Sequence, residues 1–434
     1  MLVNPAHYSS SQGPFHQPSP PPPQAVEVDP FQSLYDSLAN LTLTATASPL
    51  LLPHSSTTTP SNHNASAAAE EEAIIPDAAP IVSLPLSSRN DDTTPPPIPV
   101  NIIFPPGDNV VFAHSSYYRQ FREQLPSVLH VRTQAILSAG RLPLPSPSYL
   151  IPFPGQGLLA HYGPDSNVTA TEGKNLLLLR QIFKNGEIPV PEVYGWRRDA
   201  ENGERVVYTS LPQGNTLEDR WGGLTDVEKT SVCEELRGIV RTWRRLEQGD
   251  KHRGREIVGS IDNTPLNDQI FRLLPNTSNS KMTLPPPGPF PNVSNFHSYF
   301  VATAVAISQS RHARAGNQAG EVNYQPHHLL PDNVPITFTH GALHPRNVII
   351  SEGPNPRVVS IIGWEQAGWY PAYWELCKAR WECSQRKGLA SDWETRYLPA
   401  ILNLDGFGLE MQGWNGRALC QYWDYFVGLM HQWE

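Results

Sequence analysis

Between Phe338 and Pro371 the chain reads FTHGALHPRNVIISEGPNPRVVSIIGWEQAGWYP, a stretch that holds histidines and glutamates but no aspartate. An apolar run enters the loop His340 to Asn347, and a second apolar run from Val358 ends abruptly at Gly363, Trp364 and Glu365. Pro345 breaks any helical pairing of His340 with His344, which argues against a metal site built from these two with His327 and His328.

The same residues resemble the catalytic segment of the aminoglycoside phosphotransferase and choline kinase-like family, whose loop reads H-G-D-x-H-x-x-N and whose next strand ends in I-D-W-E. His340, Gly341, His344, Pro345, Arg346 and Asn347 match the loop, and Ile362, Trp364 and Glu365 match the strand end. Ala342 and Gly363 stand where the family carries its two aspartates. The resemblance implies an α+β, two-lobed protein kinase-like fold, with a small β-rich lobe and a larger helical lobe. It also implies ATP and Mg²⁺ as cofactors, and the two replacements argue against both. In phosphoryl transfer one aspartate orients the acceptor hydroxyl and takes its proton, while another, with an asparagine, holds Mg²⁺ against the phosphates. Alanine and glycine do neither. A positioned base is worth roughly 10²–10⁴-fold in rate, so either loss alone leaves a poor enzyme. What survives of a metal pair is Asn347 and Glu365, with Asn347 alternatively only bracing the loop.

The nucleotide side is altered as well. Lys174 is the first lysine in the chain. The segment Gly157 to Asp165 resembles the strand that carries the family's phosphate-pairing lysine, and His161 occupies that position. Its partner by resemblance is Glu172, although Thr169 to Glu172 also fits a capping box that needs no ligand. Val206 to Leu211 resembles the hinge between lobes, so Tyr208 and Leu211 are candidate nucleotide contacts, largely through backbone. Gly155 and Gly157 could approach phosphate through N–H groups, a weak signal for a lone G-x-G.

Length leaves room for one two-lobed domain and a long non-globular segment: residues 1–100 as a tail, 101–211 as the small lobe, and 212–434 as the large lobe containing 338–371. The tail carries Pro20 to Pro23, Pro95 to Pro97 and Glu70 to Glu72, a composition that buries too little apolar surface to fold. One basic residue against nine acidic ones in the tail accounts for eight of the chain's nine net negative charges. The remainder is nearly neutral, which argues against nucleic acid as a partner. Phe31, Leu34, Tyr35, Leu38 and Leu41 repeat at helical spacing, so the tail could dock on a protein partner. Cys233, Cys377, Cys383 and Cys420 are too irregularly spaced for a zinc site or a disulfide framework. No long apolar run or amino-terminal leader is visible, so no membrane association and a cytoplasmic location, nuclear not excluded, are expected.

In the large lobe, Thr225 and Glu228 form a capping box before a helix with Val232, Leu236, Ile239, Val240 and Trp243 on one face. Arg241, Arg244 and Arg245 are expected on its wet face. The sequence favours a kinase-like protein with impaired or absent catalysis that binds a nucleotide or small-molecule ligand, or a partner. Its rivals are a working phosphotransferase with relocated groups, using Glu365 with Asn347 for metal and His344 or Asp332 for the acceptor, and a protein that works through its tail.

Overall fold

Alternation along Leu158–Pro164 sets the first half of the structure. Leu158, Ala160 and Tyr162 point to one side of a sheet, where they join a core with Val131 and Ala135, and His161 points to the other. The computed structural model describes residues 96–122, 124–140, 148–249, 254–272, 285–314, 330–384, 392–402 and 416–431. The expected tail, its helical repeat, and His327 and His328 lie outside the described residues.

In chain order the elements are β1 (Ile98–Val100), β2 (Val110–Val111), α1 (Ser116–Phe121), α2 (Val128–Ala139), β3 (Tyr149–Phe153), β4 (Leu158–Pro164), α3 (Ala170–Ile182), β5 (Val193–Asp199) and β6 (Glu204–Ser210). They continue with β7 (Asn215–Thr216), α4 (Asp226–Trp243), β8 (Leu246–Gln248), α5 (Val293–Arg314), β9 (Ile336–Thr339), β10 (Val348–Ile350), β11 (Val358–Ile361), β12 (Gly368–Pro371), α6 (Trp374–Ser384) and α7 (Gly416–His431). An antiparallel five-stranded sheet runs β2-β5-β6-β4-β3. Helix α2 covers one face of it and α3 the other. Short ladders β11-β10-β7 and β12-β9 carry the loop region, and β1 pairs in parallel with β8. The result is an α+β molecule with a β-sheet lobe and a helical lobe.

Local rules account for most ends. Thr225 and Glu228 cap α4 reciprocally, as the sequence requires. Gly140 ends α2 in the left-handed conformation, its N–H donating to Ile136 O. At helix α3 the structure takes one of the two readings of Glu172: Thr169 makes no side-chain cap, and Glu172 pairs with His161, as the resemblance implies. The helical lobe is filled by aromatic rings, with Trp374 fully buried among Phe271, Phe296, Phe300, Tyr370 and Trp423. Trp364, Trp369 and Trp381 are buried as well. All four cysteines are buried and free, yet Cys377 and Cys420 place their Sγ atoms 3.5 Å apart, a proximity that sequence spacing could not show. No helix among the described residues is long and apolar enough to cross a membrane.

Candidate functional site

The loop after β9 is held from beneath by buried carboxylates and one ammonium. Gly341 adopts φ 76°, and a Cβ there would lie 2.9 Å from Gln366 O, so the turn admits only glycine comfortably. Glu375, on α6, accepts from the N–H of His340 at 2.6 Å and of Gly341 at 3.1 Å. Burial pushes the Glu375 carboxyl up, with Arg244 pulling the other way. Arg244 therefore departs from the wet face expected of it: burial lowers its pKa, and Glu375 is the charge that opposes this. Lys378, also on α6 and fully buried, donates to Asp268 Oδ1 (2.8 Å), Gly341 O (2.9 Å) and Gln366 Oε1 (2.7 Å).

Above this layer the two histidines are neutral. His340 donates from Nε2 to Ile362 O at 3.0 Å and accepts at Nδ1 from Ala342 N–H at 3.1 Å, the loop-bracing role that resemblance implies. Burial pushes its pKa down to about 4. His344 accepts at Nδ1 from Arg346 N–H at 3.3 Å, while its Nε2 is buried without a hydrogen-bond partner among the described residues. Burial, and then the nearby Arg346 charge, take it to about 4. So weak a base has little driving force for taking an acceptor proton at neutral pH. Asp332, the other candidate for that step, pairs with His297 Nδ1 at 2.6 Å.

The His344 shift has a measurable consequence. With a folded pKa below the unfolded value near 6.5, the unfolded chain takes the proton first, so stability is lost as pH falls from about 6.5 to about 4. Glu382 acts in the opposite sense. Burial raises it to about 7, so the folded state takes its proton first and gains stability as pH falls through that value. Comparison with His344→Asn, which keeps a capping acceptor, isolates the histidine. Wild type should lose on the order of 3 kcal/mol relative to the variant between pH 7 and 4 in urea melts. Parallel pH profiles would contradict this.

At the two positions of the missing aspartates the packing has closed. Asn347 donates from Nδ2 to Ala342 O at 2.7 Å. Gly363 sits at φ 81°, and a Cβ there would lie 2.8 Å from Asn347 Nδ2 and 3.0 Å from its Cγ. The asparagine amide thus fills the room that a side chain at 363 would need. With no carboxylate at 342 or 363, the Asn347 Oδ1 is what these positions leave for a cation, and one neutral oxygen does not make a Mg²⁺ grip.

Glu365 faces elsewhere. One oxygen of Glu365, one oxygen of Glu172 and one ring nitrogen of His161 lie within 4.8 Å of one another. His161, on β4, shares a 2.7 Å hydrogen bond from Nδ1 to Glu172 Oε2 on α3. The structure thus joins three sequence candidates, His161, Glu172 and Glu365, while His340, His344 and Asn347 form a separate braced loop. At the lobe junction, Gly155 and Gly157 form the tip between β3 and β4, and Gly157 O accepts from Leu211 N–H at 2.9 Å. Tyr208 is fully buried, its hydroxyl donating to Pro126 O at 2.6 Å, so its side chain serves the sheet core. Sequence reasoning missed Asp268, Glu375, Lys378 and Glu382. The last three recur at i, i+3 and i+7 on an α6 otherwise made of apolar residues, Arg380 and Ser384, a charged stripe that could have been read as buried.

The sequence model of the phosphotransferase enzyme family matches residues 166–414. No curated protein matches the chain. Among solved structures, aminoglycoside phosphotransferase APH(3'')-Id from Streptomyces rimosus, in complex with ADP and streptomycin, is 14% identical, with 71% of this chain and 100% of that one covered and a TM-score of 0.37. A thermostable mutant of aminoglycoside phosphotransferase APH(4)-Ia, in a ternary complex with AMP-PNP and hygromycin B, is 14% identical over 65% of this chain and 80% of that one, with a TM-score of 0.36. The family match extends from the start of α3 across the braced loop and α6, more than half of the sequence, and the chain belongs to the phosphotransferase enzyme family.

Proposed function

We propose that this chain is a phosphotransferase-fold protein whose catalysis is impaired or absent, and that it works as a ligand-binding or interaction module. The observation that carries the reading is the contact geometry at Gly363, where the Asn347 amide occupies the space a metal-binding side chain would use. Ala342, 1% exposed and without a titratable group, removes the base from the same loop. Nucleotide remains the natural ligand class to test, since the solved structures similar in fold carry ADP or AMP-PNP. The small lobe is proposed to span residues 101–211 and the large lobe 212–434, with the cytoplasm as its compartment.

Mg²⁺-ATP binding and hydrolysis by the purified chain test the reading. The expected result is no phosphate release above the protein-free control, with or without aminoglycoside or choline-like acceptors. Turnover that disappears in Glu365→Ala would establish the rival reading, in which catalytic groups have moved.

A further inference from the structure

We infer that His161, Glu172 and Glu365 form a binding site for one first-row divalent transition ion, Zn²⁺ being the chemical type, which clamps the sheet lobe to the helical lobe. The inference does not depend on whether the cleft turns over ATP.

The argument begins with the donor set. One imidazole nitrogen and two carboxylate oxygens converge within 4.8 Å. Ligands bound at about 2.0–2.2 Å to a tetrahedral ion stand roughly 3.3–3.6 Å apart, so an ion would open the 2.7 Å His161–Glu172 contact and bring the three donors, now within 4.8 Å, to that separation. His161 and Glu172 are buried, at 8% and 5% exposure, and Glu365 is half-buried. The His161–Glu172 pair is buried, and Glu365 brings a second carboxylate to its edge. Buried charges of this kind are stable when they are paired or coordinate a metal.

The choice of ion follows from ligand type. Mg²⁺ takes oxygen ligands in a near-ideal octahedron and dehydrates reluctantly. A mixed nitrogen and carboxylate set suits Zn²⁺ and its first-row neighbours. Three protein ligands leave a fourth position open to water or to an anionic ligand in the cleft.

The scaffold is rigid enough to hold such a set. His161 lies mid-strand on β4, paired on both sides by β3 and β6. Glu172 is in the first turn of α3, and Asn175 on the next turn donates from Nδ2 to Trp364 O (2.9 Å) and Ala367 O (3.3 Å), the turn that carries Glu365. Asn267 Nδ2 donates to Glu365 O at 3.1 Å. The three ligands come from three separate elements, each with its backbone fixed.

The test uses the full chain without an affinity tag, with ZnCl₂ as the probe, followed by equilibrium dialysis and elemental analysis. One tightly held zinc per chain is expected, with a raised melting temperature, and Mg²⁺ at the same concentration should give neither. His161→Phe and Glu365→Gln should each weaken binding by at least ~10–100-fold, the loss that removing even an outer partner of a metal ligand produces. Substoichiometric zinc in wild type, or an unchanged dissociation constant in both variants, would overturn the assignment. Should either variant fail to fold, Co²⁺ loaded into wild type decides. Visible d–d bands without a thiolate charge-transfer band match nitrogen and oxygen ligands. A thiolate band would move the site to the cysteines, and an absence of d–d bands would remove it.

Discussion

Lys378→Met should destabilise the protein by about 3–5 kcal/mol, the cost of leaving a buried charge without its partner. The ammonium uses all three of its hydrogens, on Asp268, Gly341 and Gln366, and neither Lys378 nor Asp268 is exposed. Methionine matches the volume but leaves the Asp268 carboxylate, among the described residues, with the Trp374 Nε1–H and the Ile270 N–H as its donors. It also strands the Gly341 carbonyl, so the loop and the core should loosen together. Urea melts of wild type, Lys378→Met, Asp268→Asn and the double variant form a cycle. The double variant should be less destabilised than the two single losses added, because Asp268→Asn removes the orphaned charge. A loss below about 1 kcal/mol in Lys378→Met would mean that the buried ion pair contributes little here.

Gly363→Asp, the change that would restore a family aspartate, should cost about 2–5 kcal/mol and return no phosphoryl transfer, alone or with Ala342→Asp. Two separate costs combine. A non-glycine residue at φ 81° is strained by about 1–2 kcal/mol. Its Cβ, 2.8 Å from Asn347 Nδ2, also forces an overpacked contact worth typically 1–3 kcal/mol. Asn347→Ala introduced with Gly363→Asp should recover the packing part and leave the backbone part, as denaturant melts can resolve. Mg²⁺-dependent ATP turnover in the Ala342→Asp, Gly363→Asp pair would show that the cleft is intact apart from its missing carboxylates.

Local signals in the sequence carried the frame of this molecule well. Thr225 and Glu228 announce the start of α4 because a capping box is decided within four residues, and alternation along β4 sends His161 to the face opposite Tyr162. Failures came where partners lie far apart in sequence. For Glu172 the local capping pattern misled, and only the resemblance pointed to His161 on another element as its partner. Arg244 sits among exposed-looking arginines, yet it is half-buried and feels the Glu375 charge, 131 residues later in the chain. Lys378 would read as a surface residue on any helix whose burial was unknown. No spacing rule could reveal that Asn347 had moved into the room beside Gly363, because that contact depends on two loops meeting.

Asn175 gives the lobes a mechanical property of their own. A single amide on α3 grips both carbonyls of the turn at Trp364 and Ala367, so this helix and the floor beneath it travel as one body. Widening the gap between lobes without breaking these two bonds therefore requires bending elsewhere in the sheet lobe. A visitor entering there meets a jaw hinged on one side only.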